Sequence, residues 1–252
     1  MNMNEVIQSL KNHRSVREYD PAKDVSAEQI QTIVEAALAA PNWINGQQVS
    51  VIEVRDPEKK EALANACGGQ QWIKDAPVFL VFCLDFYRAK LVSEMHHTDF
   101  RLPEEIDAVI IGSTDVGIAL GTAVAAAESM GLGTVPIGAV RKNPQTFIDL
   151  LQLPEYVYPI CGLVVGHPSG LPLQKPRLPL EATYHKETYA ADIQKEMIEQ
   201  YDKTFADYTF RRSNGQETGD WSTRVANFYA TGILQYSDKT STALKKQGFH
   251  YK

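Results

Sequence analysis

The stretch EEIDAVIIGSTDVGIALGTAVAAAESM, residues 104–130, decides how this chain must fold. Its apolar residues recur at helical spacing, and its second half is almost free of charge, with Ile118-Ala119-Leu120 running into Gly121-Thr122-Ala123. A helix that is apolar nearly all round has to be covered, and its Gly, Ala and Ser content lets a neighbour approach closely. It reads as a central core helix or a subunit-interface helix. Glu104, Glu105, Asp107, Asp115 and Glu128 argue against a membrane span. Gly131-Leu132-Gly133 supplies a left-handed C-cap, after which 134–137 resumes as a short strand.

Working outward, Ser26-Ala27-Glu28-Gln29 is a capping-box start for a helix with Ile30, Ile33, Val34, Ala37 and Leu38 on one face, stopped by Pro41. Residues 49–54 alternate like a strand. Asp56-Pro57 opens another helix with a cap and a proline at its first position, ending near Gly68-Gly69. The continuous apolar runs 78–83 and 160–165 read as strands buried on both faces. Beyond residue 179 the chain turns polar and tyrosine-rich, with helical stretches at 192–208 and 221–246 separated by Arg211-Arg212-Ser213-Asn214-Gly215. No flexible linker, repeat or low-complexity tract sets this part apart. The expected organisation is one α+β domain over 1–252, with a core at 1–179 and a helical excursion at 180–252 that is not an independent domain.

With 252 residues and 44% hydrophobic content, the chain can bury one large core. No uncharged apolar run reaches the roughly 18 residues of a membrane span, and MNMNEVIQSLKNHRS lacks a signal-peptide hydrophobic region, so a cytoplasmic protein is expected. Cys67, Cys83 and Cys161 are odd in number and set among apolar residues, which favours buried free thiols. The chain has no GxSxG, HExxH or Walker loop, and Gly131-Leu132-Gly133 follows a helix where a dinucleotide-binding loop would open one. Adjacent histidines such as His96 and His97 on a helix point in different directions, so no metal site is expected.

Against a net charge of -6, two compact basic elements stand out: His13-Arg14-Ser15-Val16-Arg17 and Lys175-Pro176-Arg177. Arginine grips phosphate oxygens with a planar fork and lysine adds a point charge, so the pair reads as an anion clamp. Taken singly, each also reads as a solvated surface turn. Neither extends into a stripe that would track a nucleic-acid backbone, so nucleic-acid binding is not expected.

Read with these elements, AAPNWINGQQ at 39–48, GGQQWI at 68–73, AAAESMGLGTVPIGAVR at 125–141, GLVVGHP at 162–168, KPRLP at 175–179 and the arginines following Tyr208 complete an ordered series that begins with HRSVREY at 13–19. The series resembles the FMN-dependent nitroreductase family, in its NADPH-flavin oxidoreductase or major oxygen-insensitive branch. The resemblance implies a nitroreductase-like fold, a mixed but mostly antiparallel sheet flanked by helices, in an intertwined homodimer with FMN at each interface. It implies that His13, Ser15, Lys175 and Arg177 surround the FMN phosphate with Arg14 nearby, and that Arg17 faces the N1/O2 edge of the ring. A cation there would stabilise the negative charge of the reduced flavin. An ion pair of Arg17 with Glu18 or Asp20 is the plainer alternative.

The resemblance further implies that Asn42, Trp43 and Gln47 pass one face and edge of the ring, that Gln70 makes a second edge contact, and that Pro136, Ile137, Gly138 and Ala139 approach the other face through backbone groups. Many relatives carry small serines in place of Asn42-Trp43, so Trp43 either narrows the substrate face or is a core aromatic. Arg211 and Arg212 resemble the segment that reads the NADPH 2′-phosphate, although Glu217 and Asp220 follow where relatives carry further basic residues. The implied function is an FMN-containing NAD(P)H oxidoreductase, a flavin reductase and nitroreductase that takes hydride from NADPH, with NADH as a weaker donor, and passes electrons to free flavin, nitroaromatics or quinones by a ping-pong mechanism. A non-catalytic flavin-binding or flavin-storage protein, or an interaction module without cofactor, are the other classes considered.

Overall fold

Strand β2 (Val78–Asp85) is buried at every position, which only a central strand covered on both faces can satisfy. A computed structural model describes residues 4–251 and places β2 between β1 (Val49–Val54) and β4 (Val157–Gly166), with β3 (Gly133–Ile137) on the far side of β4. All three strand pairings are antiparallel, and the register shifts once, between Phe82 and Cys83. The mixed character expected for the sheet enters at its edge, where Ser15 forms a parallel bridge with Thr134.

Helices follow in chain order as α1 (Glu5–Lys11), α2 (Ala27–Leu38), α3 (Pro57–Ala66), α4 (Gln71–Asp75), α5 (Tyr87–Met95), α6 (Asp107–Ser129), α7 (Pro144–Leu150), α8 (Gln194–Arg212), α9 (Trp221–Asn227) and α10 (Leu234–Lys246). The Ser26 capping box and the Asp56 cap with its proline form as expected. His96 and His97 lie past the end of α5, His97 with φ of 53°, so they are not on a helix as the sequence reading held.

The long helix is shorter than residues 104–130. A separate turn at Leu102–Glu104 precedes it, and Met130, Gly131 and Leu132 close it: the Leu132 N–H reaches Ala127 O and the Gly131 N–H reaches Glu128 O, with Gly131 at φ of 76°. Burial is also one-sided. Ala108, Gly112, Asp115, Val116, Ala119, Ala123 and Ala127 are covered, and a Cβ on Gly112 would lie 2.8 Å from Leu84 Cβ, so the backbone of α6 packs directly on the sheet. The opposite face, with Ile110, Thr114, Gly117, Ile118 and Gly121, is exposed. This chain alone does not cover it. By length and composition α6 is apolar enough to cross a membrane, yet its inner face belongs to the protein core.

The chain divides into one unit running to Pro172 and resuming at Tyr236–Lys252, and a second at Leu173–Gln235. In the first, Phe249 and Leu244 join the main core. In the second, Tyr201, Phe205 and Tyr208 of α8 pack with Leu178 and Trp221. The continuous helix expected at 221–246 is broken by a π-helical turn, Phe228–Gly232, in which Gly232 lies so close to Phe228 that a Cβ would be 2.8 Å from its ring.

All three cysteines are buried and unpaired with one another; burial pushes the Cys67 thiol up to about 12 and raises Cys83 and Cys161 as well. The tightest point of the sheet is Gly162, where a Cβ would lie 2.3 Å from the Phe79 ring. Gly162→Ala is therefore expected to cost about 1–3 kcal/mol, read as a lowered urea midpoint, because β4 or Phe79 has to shift. Gly170→Ala, where a Cβ meets open space, serves as the control and should stay within about 0.5 kcal/mol.

Candidate functional site

The basic turn at 13–17 is tied to the sheet before it can meet anything else. The Val16 N–H donates to Thr134 O at 2.9 Å, and Gly133 permits the approach: a Cβ there would lie 2.9 Å from three carbons of Val16. The buried Thr134 hydroxyl donates to Glu128 Oε1 at 2.9 Å, and His13 Nδ1 meets the same oxygen at 2.7 Å. Glu128, in the last turn of α6, thus joins helix, strand and turn. With Nδ1–H donated to Glu128, the Nε2 edge of His13 is left for a ligand.

Arg14 donates to Asn12 O at 2.8 Å, and Arg17 donates to Ser15 O at 3.3 Å while its guanidinium lies 5.3 Å from the centre of the Trp72 ring. The alternative ion pair of Arg17 with Glu18 or Asp20 does not form. Among the described residues, neither arginine has a carboxylate partner, although the chain carries 31 acidic residues. Two guanidinium groups held by carbonyls and an aromatic ring suit an anion with several oxygens.

Trp72 is positioned from below. The buried ammonium of Lys60 donates to Lys74 O at 3.2 Å and Ala76 O at 2.5 Å, closing the end of α4, and its burial lowers the Lys60 pKa. Gln70, just before α4, turns its amide to Cys67 O at 3.3 Å, and the buried Trp72 Nε1 has no hydrogen-bond partner. On β3, Pro136 is exposed while Ile137 is buried, as is Ala139 in the turn Gly138–Lys142 that follows. A Cβ on Gly138 would meet only Arg141 Nη2, at 3.8 Å, so the backbone there is open. A cavity of about 790 Å³ lies against Asn12, Arg14, Val16, Glu128 and Gly133. Charge-assisted donors for a phosphate and, four residues past Thr134, an uncovered stretch of backbone fit FMN.

The loop at 42–47 stands elsewhere. Its Trp43 N–H donates to both carboxylate oxygens of Asp115, at 3.2 Å each, and Arg88 donates to Gln47 O at 2.6 Å and Val49 O at 3.0 Å. Asn42, Gln47, Arg88 and Asp115 line a second cavity of about 350 Å³. Trp43 is 56% exposed, which rules out the core-aromatic reading. Asp115 and Glu128 lie thirteen residues apart on α6, about 20 Å of helix. The turn at 13–17 is thus tied to Thr134 on β3 and, through Arg17, to Trp72 on α4, two residues from Gln70, whereas Trp43 is tied to Asp115, about 20 Å along α6 from the Glu128 that holds His13.

In the second unit, Lys175 and Arg177 are exposed in irregular backbone, and Arg177 donates to Lys175 O at 3.0 Å. Arg211 pairs with Asp207 at 2.8 Å and Arg212 with Glu217 at 2.7 Å. Glu217, which would oppose a phosphate, is spent on Arg212. Sequence reading had missed Asp115, Glu128, Thr134, Arg88 and Trp72. Two of these did carry a signal: Asp115 and Glu128 are acids in an otherwise apolar helical run, and such charges are retained where they have a partner.

Fold and site together describe a flavin-binding α+β oxidoreductase framework, and comparison with known proteins agrees. The nitroreductase family model matches residues 10–167, and the model of the nitroreductase family C-terminal domain matches 175–252. The chain belongs to the nitroreductase family. It is 50% identical over 249 residues to an FMN reductase (NAD(P)H) of Bacillus subtilis, covering 98% of each chain, and 37% identical over 223 residues to an NADPH-flavin oxidoreductase of Vibrio harveyi, covering 88% of this chain and 90% of that one. Among solved structures it superimposes on B. megaterium NfrA2 with a TM-score of 0.96 at 45% identity, over 99% of this chain and 100% of the other. The V. harveyi NADPH:FMN oxidoreductase complexed with NAD+ gives 0.84 at 33% identity, over 98% and 99%.

Glu128→Ala should leave the buried Thr134 hydroxyl and His13 without their common acceptor. The expected cost is about 1–3 kcal/mol in apoprotein stability, with weaker FMN binding in a fluorescence titration. Glu128→Gln keeps a carbonyl acceptor and should lose less. Equal behaviour of wild type and Glu128→Ala in both measurements would remove Glu128 from this role.

Proposed function

We propose that the protein is an NAD(P)H-dependent flavin reductase and nitroreductase with FMN as cofactor, working as a homodimer in the cytoplasm. The observation that carries the reading is the basic turn at 13–17, locked to Thr134 and Glu128, whose arginines have no carboxylate partner among the described residues. When bound, FMN supplies the hydride and electron transfer chemistry. The chain's part is to hold and tune. His13 through Nε2, Ser15 and Arg14 are assigned to the phosphate. Arg17, kept in place by Trp72, is assigned to the ring edge where negative charge develops. Three buried free thiols accord with a reducing compartment.

Two features support the homodimer reading: the roughly 20 Å between the two groups of residues and the uncovered stripe Ile110, Thr114, Gly117, Ile118 and Gly121. Asn42, Trp43 and Gln47 then serve the flavin of a second copy, brought up against α6. Donor and acceptor use the same open face in turn, which gives ping-pong kinetics. Acceptors are flat and electron-poor: free flavin, nitroaromatics and quinones. NADPH is the favoured donor, by a modest margin, because Arg211 and Arg212 are exposed and already paired with Asp207 and Glu217.

An anaerobic half-reaction tests cofactor and catalysis together. The yellow protein should bleach with NADPH, and Arg17→Ala should slow bleaching about tenfold or more while flavin occupancy changes less, since the lost charge acts on the reduced ring. Colourless protein that ignores added FMN would overturn the proposal. For donor choice, the NADPH/NADH ratio of kcat/KM should fall several-fold in Arg211→Ala or Arg212→Ala, about 1 kcal/mol or less for an exposed pair. If neither substitution moves the ratio, this segment does not read the 2′-phosphate.

A further inference from the structure

The loop between α2 and β1 holds three non-glycine residues in the left-handed region: Ile44 at φ of 46°, Asn45 at 55° and Gln47 at 49°. Its one glycine, Gly46, sits at -72° and uses none of its conformational freedom. For β-branched Ile44 this is an unfavourable backbone, and such backbone persists where the surroundings over-determine it. Ile44 is also 81% exposed, so packing of its own side chain does not hold it there.

What holds the loop is a pair of charged groups, one at each end. At the start, Asp115, itself 4% exposed, takes the Trp43 N–H with both oxygens. At the end, one arm of the Arg88 guanidinium donates to Gln47 O and Val49 O, and the other to Asp85 Oδ2 at 2.7 Å and Ser50 Oγ at 3.0 Å. Between them, Gln47 N–H donates to Asn42 Oδ1 at 3.0 Å and Gly46 N–H to Trp43 O at 2.7 Å. The effect is to present Trp43 outward on a rigid base.

We propose that Asp115 and Arg88 are positioning residues that clamp this loop in a strained backbone, so that Trp43 forms a fixed wall that sandwiches wide planar acceptors against the flavin. The inference rests on the reading that the loop faces the flavin of another copy. A preorganised wall spares the acceptor the cost of ordering it. Releasing the clamp lowers the fraction of molecules with the wall in place and raises the apparent KM in proportion. An acceptor too narrow to reach the wall is indifferent to it.

The test compares wild type, Asp115→Asn, Ile44→Asn and the double variant as holoenzymes, with free FMN as the wide acceptor and 1,4-benzoquinone as the narrow one, at saturating NADPH. In Asp115→Asn the KM for FMN should rise about tenfold while that for benzoquinone stays within about twofold, the competent loop population having fallen to about a tenth. Asparagine accepts left-handed backbone far better than isoleucine, so the double variant should recover most of the FMN KM. A merely structural role for Asp115 predicts no such rescue. Arg88→Lys, which keeps the charge but loses the fork, should behave like Asp115→Asn. An unmoved FMN KM in Asp115→Asn, equal changes for both acceptors, or failure of Ile44→Asn to rescue would each overturn the clamp. Bleaching of the wild-type flavin by NADPH reports on the underlying functional reading separately.

Discussion

The structure turns on two carboxylates set into one apolar helix. Asp115 and Glu128 sit on a helix otherwise built to lie against the sheet, where an unpaired charge would be costly. Each is satisfied by a different segment: Asp115 by the Trp43 N–H, Glu128 by His13 and Thr134. Because the helix is rigid, their spacing fixes where the two segments stand. One basic turn and one aromatic loop are thereby held about 20 Å apart, and neither can drift toward the other.

On the proposed reading, that arrangement lets a net-acidic chain offer an anion site. The arginines at 14 and 17 are restrained by carbonyls and an aromatic ring, interactions that orient a guanidinium without neutralising it. Among the described residues, Glu128 is the carboxylate drawn in, and it is occupied by His13 and Thr134. On the proposed reading the other half of each site comes from a second copy, and the exposed Gly117 and Gly121 let two such helices come close. The enzyme then owes its open, shared face to the same helix that organises its core.

Much of this was legible in the sequence because local rules and global packing agree. The capping box at Ser26, the cap and proline at Asp56-Pro57, the continuous apolar run of β2 and the glycine stop after α6 each specify one outcome. The breaks were not legible. No proline marks the π turn at Phe228–Gly232, and the return of Tyr236–Lys252 to the first unit depends on long-range packing of Leu244 and Phe249. At the site, residue types that bind phosphate were visible at 13–17, whereas their anchors were not. Asp115 and Glu128 read from sequence only as charges that disfavour a membrane span, since Trp43 lies 72 residues from Asp115 and His13 lies 115 residues from Glu128. The left-handed backbone of Ile44 was likewise hidden, because isoleucine is among the last residues from which it would be inferred.

The central claim, that each site is completed across two copies, is tested most directly by subunit mixing. One chain carries Arg14→Ala and Arg17→Ala, the other Trp43→Ala and Gln47→Ala, and differently tagged chains are co-expressed and the mixed dimer isolated. With free FMN as acceptor, well below its KM, each homodimer should be strongly impaired. In the mixed dimer one site collects both sets of substitutions and the other collects none, so about half the wild-type activity per dimer should return, the share of one intact site in two. A mixed dimer as inactive as both parents would mean that each chain builds its site alone, and would contradict the account.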